Sequence, residues 1–412
     1  MTDELLQAGP RPARSRRRLT GRVLEFLGRR MVKDRLKGQI RLTLPDGHQL
    51  VLGQKSADGH DADLKITSYR VLEKSIRRGS VGFGEAYMAG DIDSDDLVSL
   101  FRFFLANRGA FHTAGGELFK VRLGDRLAHQ RRRNTLAGSR RNIAAHYDMG
   151  NDFYVRWLDP GMTYSGALFG SRDISLEAAQ HAKYSRALQL AAAGEGENLL
   201  EIGCGWGGMA EHAARAGRTV DGITLSGRQL EFAKARIELL GLQDRVCLDL
   251  RDYRQVQGRY DGIVSIEMIE AVGEENWPAY FATLSRLLKP GRQAVLQAIT
   301  IAPEYFDRYR AKVDFIQRYV FPGGMLLTDN AISRHADDHG MALVHTEKFG
   351  RDYARTLRTW RHNFNAAWDD IAPLGYDEKF KRMWLYYLTY CEAGFDDGAI
   401  DVGFYVLRKE TQ

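Results

Sequence analysis

The stretch Asn198-Leu199-Leu200-Glu201-Ile202-Gly203-Cys204-Gly205-Trp206-Gly207-Gly208 holds the residue types most plainly suited to a ligand. Leu199, Leu200 and Ile202 supply a buried strand, and residues 209–216 have helical composition. Between them Gly203, Gly205 and Gly207 give backbone freedom and bare amides that approach a polar ligand closely. Strand, glycine turn and helix together make a nucleotide-type site. Two later groups suit the same ligand. Thr224 and Gln229 can donate and accept hydrogen bonds. Asp252-Tyr253 offers a carboxylate to accept from an adenine amine and a ring to stack on it.

These groups need a scaffold that brings them together. From residue 198 onward strand and helix alternate. Further strands are expected at 219–226, 246–250, 260–266 and 292–300, with a helix at 228–240. Two more strands are expected at 343–349 and 402–408, and a helix N-capped by Ser175 precedes the series. Such alternation predicts an α/β fold, doubly wound, with a mostly parallel seven-stranded sheet. Ligands in such sheets sit at the carboxyl ends of the strands, where all the groups above converge. Residues 302–334 form an insertion rich in aromatics, among them Tyr305, Phe306, Tyr309, Phe315, Tyr319 and Phe321. It suits the lining of a long apolar substrate or a cap helix packed on the core.

The remaining chain sets the context. Its 412 residues allow two domains, and 44% apolar with 27% charged residues is a globular composition. No apolar run approaches the roughly 18 residues of a membrane span, and no signal peptide is visible. Three cysteines, Cys204, Cys247 and Cys391, are too few for a disulfide or zinc framework, so no metal is expected and a reducing cytoplasm is the natural home. Residues 1–41 carry twelve Lys/Arg against four Asp/Glu, an excess larger than the net charge of +6. A basic amphipathic helix from Leu19 to Met31 suits an anionic membrane surface, and the lack of interleaved aromatics argues against nucleic acid. Residues 38–72 read as short strands, with a hairpin at 40–52, followed by a helix at 95–107. The expected organisation is a basic lipid-associating α+β domain (1–107), a linker (108–142) with arginine runs, and a catalytic domain (143–412).

The form E-x-G-x-G-x-G is typical of S-adenosylmethionine (SAM) methyltransferases, whereas a dinucleotide fold prefers G-x-G-x-x-G. Several motifs together are more specific. They are His146-Tyr147-Asp148, Thr163-Tyr164-Ser165, residues 200–207, Gly222-Ile223-Thr224-Leu225-Ser226, Phe321-Pro322-Gly323-Gly324 and Tyr386-Tyr387-Leu388. As a set they resemble the cyclopropane-fatty-acyl-phospholipid synthases and mycolic acid methyltransferases over residues 140–408. The resemblance implies SAM held through Tyr164, Ser165, Gly203, Gly205, Thr224, Leu225, Gln229 and Tyr253. It implies methylation of the double bond of an unsaturated phospholipid acyl chain in the bilayer. A carbocation results, and a base removes a proton to close a cyclopropane. The family's base is a bicarbonate ion, held by a cysteine, a glutamate, a histidine and a tyrosine.

That ligand set is half present. Glu270 matches the glutamate and Tyr353 the tyrosine. Gly166 stands for the cysteine and offers no side chain, and Gln297 stands for the histidine and cannot carry positive charge. Bicarbonate is therefore an open expectation. Glu270 becomes the main candidate base, with Glu267 next. Cys391 matches a cysteine treated as active in the family, but it shares a helical face with Phe380, Trp384 and Tyr387, which favours core packing. His146 is a candidate for orienting the site. Two products are open: the cyclopropane, and a methyl-branched alkene formed if a neighbouring chain carbon loses the proton. An N-methyltransferase of a small amine and a catalytically dead lipid-binding protein that retains SAM are the rivals. A second copy of the chain is a further candidate partner.

Overall fold

The computed structural model describes residues 36–55, 60–110 and 149–411. The basic helix expected at 19–31, most of the linker and His146-Tyr147-Asp148 lie outside the described residues.

Runs of apolar residues buried on both faces build the central sheet. Its strands are β5 (Asn198–Ile202), β6 (Thr219–Thr224), β7 (Val246–Leu250), β8 (Tyr260–Ile266), β9 (Leu288–Ile301), β10 (Met341–Lys348) and β11 (Ile400–Lys409). They lie in the order β10-β11-β9-β8-β5-β6-β7. All pairs are parallel except those of β11, which runs antiparallel to both neighbours. Period-two alternation sends Leu199 and Val264 into one core and Leu200 and Ile263 into the other. The first core is covered by α3 (Leu176–Ala191), α4 (Gly208–Arg215), α5 (Gly227–Leu239), α10 (Gly350–Ala366) and α11 (Glu378–Asp397). The second is covered by α6 (Trp277–Leu287) and α9 (Asp329–Asp337). The expected doubly wound, mostly parallel, seven-stranded sheet is found. Its order reverses at β5, so the glycine turn opens at the switch point. β9 starts earlier than expected and passes through Lys289-Pro290-Gly291, where its register against β8 shifts.

The smaller N-terminal sheet has the order β2-β1-β3-β4 and comprises β1 (Gln39–Thr43), β2 (Gln49–Gly53), β3 (Ala62–Ile66) and β4 (Ile92–Asp93). The hairpin stands where expected, and Asp96 N-caps α2 (Leu97–Ala106). The helix α1 (Arg70–Met88) was not legible, because its glycines argue against a helix. It kinks at Gly79, which adopts φ 56° and ψ −133°. At Gly84 a Cβ would meet the Phe315 ring at 2.4 Å, so only glycine lets this helix approach so closely.

That approach ties the N-terminal unit to the catalytic one. The insertion contributes α7 (Pro303–Ala311) and α8 (Phe315–Tyr319). Phe315 is buried against Tyr386, with ring centroids 4.2 Å apart, and Tyr319 donates to Glu85 at 2.5 Å. Arg382 donates to the carbonyls of Tyr87 (2.5 Å) and Ile92 (2.7 Å) and lies over the Tyr87 ring. Phe315 thus serves as cap packing, whereas Phe321 follows α8 and turns its ring toward Tyr164 and Tyr387.

Candidate active site

The glycine turn forms as the residue types require. Gly203, Gly205 and Gly207 adopt φ of 88°, 50° and 83°. The amides of Gly203 and Cys204 both donate to the Ile223 carbonyl at 2.9 Å, and that of Gly207 to Cys204 at 2.8 Å. These three amides hold the turn itself. Gly205 is the open side, since a Cβ there would meet nothing within 4 Å. Beneath it Glu201 is buried, its Oε2 without a hydrogen-bond partner, and burial pushes its carboxyl up to about 8. A buried acceptor with spare capacity beside an open turn fits a polar, nucleoside-type ligand.

At the ends of β6 and β7 the expected residues are partly engaged. Thr224 Oγ1 donates to Gln229 Oε1 at 3.1 Å, and Leu225 joins them to Ser226, the N-cap of α5. The Asp252 carboxylate is clasped by the Arg254 guanidinium through two bonds of 2.7 and 2.8 Å. Oδ1 also accepts from the Arg254 backbone N–H at 3.0 Å, so Oδ2 is the oxygen that retains a lone pair for a further donor. The Tyr253 ring is buried edge-on against Tyr280, at a centroid distance of 5.3 Å, with Arg254 at its face. Its phenol is pushed up to about 12 by burial.

Beyond the turn the polar contacts centre on Glu267. It follows β8 directly, with φ 49°, in the left-handed region. That reversal brings its carboxylate among three donors. Gly166 N–H donates to Oε1 at 2.8 Å, Gln297 Nε2 to Oε1 at 2.7 Å, and Tyr353 Oη to Oε2 at 2.6 Å. Gln297 Nε2 also reaches the Gly166 carbonyl at 3.2 Å. Glu270 stands apart from this set. Its Oε1 accepts from Ile299 N–H at 2.5 Å, and its Oε2 is buried without a partner. Burial and the neighbouring Glu267 charge push it up to about 8. Tyr353 and Gln297 therefore gather on Glu267, not on Glu270. A Cβ on Gly166 would lie 2.8 Å from the Tyr353 ring, so the ring occupies the space of a side chain there. Gly166, Gln297 and Tyr353 do not fit a free bicarbonate, since their donors already hold a carboxylate of the chain.

A lysine completes the site. Lys183 on α3 is fully buried and donates to Ser165 Oγ at 2.5 Å, while Gln180 donates to the Ser165 carbonyl at 2.8 Å. The charges of Glu267, Asp159 and Glu201 favour its ammonium form, but desolvation outweighs them and holds its pKa below the usual lysine range. Burial likewise raises Glu267, against the pull of Tyr353, Gly166 and Lys183. Lys183 was missed in the sequence, although a signal existed. Gln180 and Lys183 sit in the stripe Ala179, Tyr184, Ala187, Leu188, Ala191 that α3 buries.

Rings wall the site. Tyr164 Oη and Tyr387 Oη are hydrogen-bonded at 2.8 Å. The Tyr164 ring stacks on Phe321 at 6.5 Å and packs on Trp360 at 5.2 Å. Cys391 lies one turn beyond Tyr387, and burial pushes its thiol up, away from the thiolate a nucleophile needs.

Comparison with known proteins adds to this geometry. The family described as mycolic acid cyclopropane synthetase matches residues 134–404. The tuberculostearic acid methyltransferase UfaA1 of Mycobacterium tuberculosis is 38% identical over 389 residues, covering 90% of this chain and 88% of that protein. The cyclopropane-fatty-acyl-phospholipid synthase of Escherichia coli is 36% identical over 346 residues, covering 81% and 84%. A crystal structure of the mycolic acid cyclopropane synthase CmaA1 complexed with SAH and CTAB superposes with a TM-score of 0.62 at 31% identity. It covers 66% of this chain and 98% of that one.

Proposed function

The chain belongs to the mycolic acid cyclopropane synthetase family of SAM-dependent methyltransferases, and from that premise we propose that it methylates the double bond of an unsaturated phospholipid acyl chain. The observation that carries this reading is the pairing of enclosed carboxylates with aromatic walls beside the glycine turn. A carbocation in an acyl chain has no polar group of its own to be held by. It needs π faces to stabilise it and a base to end it. Tyr164, Phe321 and Trp360 present the first, and Glu267 and Glu270 the second.

SAM, when bound, supplies an electrophilic methyl group. The residues that would hold it are Tyr164, Ser165, Glu201, the Gly203–Gly207 turn, Thr224, Leu225, Gln229, Asp252 and Tyr253. Lys183 and Gln180 fix Ser165 from below. The rings keep water from the cation, and a desolvated carboxylate takes the proton.

The product we favour is the methyl-branched alkene. The altered residues Gly166 and Gln297 support it, as does the name of the tuberculostearic acid methyltransferase relative. The cyclopropane is the second reading, supported by the name of the E. coli relative. The N-terminal unit is assigned a lipid-associating role. Its basic charge would hold the enzyme on an anionic cytoplasmic membrane surface, each basic residue contributing about 1 kcal/mol. Among the described residues no helix is long and apolar enough to cross a membrane.

Expression in a host with monounsaturated phospholipids tests the reading by fatty-acid mass spectrometry. The expected product is an acyl chain heavier by one CH2 unit that mild hydrogenation reduces. Resistance to hydrogenation identifies the cyclopropane instead. No new acyl species, with SAM bound, sinks the acyl reading and leaves the amine N-methyltransferase and the catalytically dead lipid-binding protein.

A further inference from the structure

The geometry points to Glu267 as the built-in proton acceptor of this site, a carboxylate tethered to the chain where the donors would otherwise hold a diffusible anion. This rests on the acyl-methylation reading above and names the residue that completes it. Three observations carry it. Gly166 N–H, Gln297 Nε2 and Tyr353 Oη all converge on one carboxylate at 2.6–2.8 Å. Such a set of donors from three separate elements is a receptor for a planar, two-oxygen anion. The Glu267 backbone adopts φ 49°, a conformation costly for a residue with a side chain and placed at the site itself. Finally, Tyr353 fills the space a residue-166 side chain would use, so the site is shaped around a glycine there.

Glu270 lacks this support. One of its oxygens takes a backbone amide and the other has no partner, with nothing cationic among the causes that shift it. Glu267 has Lys183 to favour its charged form. Tyr353 and Gln297 are positioning residues that aim the carboxylate.

The π pair of the alkene forms the bond to the donated methyl carbon as the carbon–sulfur bond breaks. The neighbouring carbon is left cationic. A C–H bond beside it then breaks, its electron pair forms the new carbon–carbon bond, and the proton passes to a Glu267 oxygen. The neutral carboxyl returns the proton to water before the next turnover.

The test uses the full chain, SAM and vesicles of monounsaturated phosphatidylglycerol, in buffers stripped of carbon dioxide or supplied with bicarbonate. Wild type is expected to turn over equally in both. Glu267→Gln is expected to lose about a hundredfold or more in either buffer, with SAM affinity unchanged. Glu267→Gly keeps the backbone conformation at no cost and empties the carboxylate position. It is expected to be inactive without bicarbonate and to regain roughly tenfold or more with bicarbonate or formate. Circular dichroism and melting of the two variants separate loss of the base from loss of the fold. A bicarbonate requirement in wild type, or wild-type turnover by a folded Glu267→Gln, overturns the assignment while leaving the acyl reading standing. No methylated acyl chain from wild type in either buffer, with SAM bound, overturns both.

Discussion

Tyr353 donates its phenolic hydrogen to Glu267 Oε2 at 2.6 Å, and the Glu270 carboxylate three residues on receives none of it. Burial holds the Tyr353 phenol well above its ordinary range, so it stays a donor at any working pH. A hydrogen bond to a charged group is worth about 1.5–3 kcal/mol, or roughly tenfold to a hundredfold in rate. Tyr353→Phe should therefore lower kcat by about that factor, with the KM for SAM unchanged. Losing a donor also raises the Glu267 pKa, so the acidic limb of the kcat–pH profile should move to higher pH. The charged groups facing Glu267 are Lys183 and Glu270. A KM effect with an unmoved limb would show that Tyr353 only packs.

Gly166 predicts an asymmetry between this enzyme and a relative with cysteine at that position. Installing the cysteine here drives its Cβ to 2.8 Å from the Tyr353 ring. That ring is stacked on Phe395 at 4.5 Å and packs on Trp360, so it has little room to retreat. Overpacking of this kind costs about 1–3 kcal/mol. Gly166→Cys should lower the urea midpoint accordingly and cut turnover, because the displaced ring no longer aims Glu267. A variant as stable and as active as wild type would mean the ring moves freely.

Lys183 is the buried cation among Glu201, Glu267 and Asp159. Removing one partner of a buried charge set typically costs about 3–5 kcal/mol, here because an ionised Glu267 loses its compensation while Glu201 keeps its proton up to about pH 8. Lys183→Met keeps the length and packing of the side chain, so its cost isolates the charge. The variant should lose stability of that order in urea denaturation at neutral pH. Part should return at acidic pH, where the carboxylates become neutral. A pH-independent loss would point to packing alone.

How far these groups were legible follows from what local pattern can carry. The strands of the large sheet are runs of apolar residues between turn signals, and β7 and β8 lie where the pattern put them. Glu201 and the three glycines were readable because type and spacing coincide. Local pattern alone did not separate Glu267 from Glu270, since both follow the same strand, and the family resemblance put Glu270 first. Only the left-handed turn at Glu267 swings one of them toward Gly166 and Tyr353, which lie about a hundred residues away on either side. Lys183 hid for the opposite reason, as a basic residue in a helix with charged neighbours. The helix α1 hid because its glycines serve close packing across an interface that no local pattern reveals.

Glu201 gives the sharpest link between site and stability. It is enclosed at 3% exposure, and burial holds its carboxyl at about 8 against an ordinary 4.5, despite the nearby charges of Lys183 and Arg236. Its folded-state pKa is thus raised above the unfolded value. The folded chain keeps the proton that the unfolded chain loses above pH 4.5. Stability from this group is therefore full below that pH and drains away as pH rises toward about 8. The slope approaches about 1.4 kcal/mol per pH unit at most. Glu201→Gln keeps the shape without the proton. Its unfolding free energy should match wild type near the acidic end and exceed it progressively toward neutrality. Urea unfolding of the two proteins at a series of pH values measures the difference directly. Curves that stay parallel across this window would mean the carboxyl ionises in the fold as freely as in water, and that something besides burial holds the residue beneath the glycine turn.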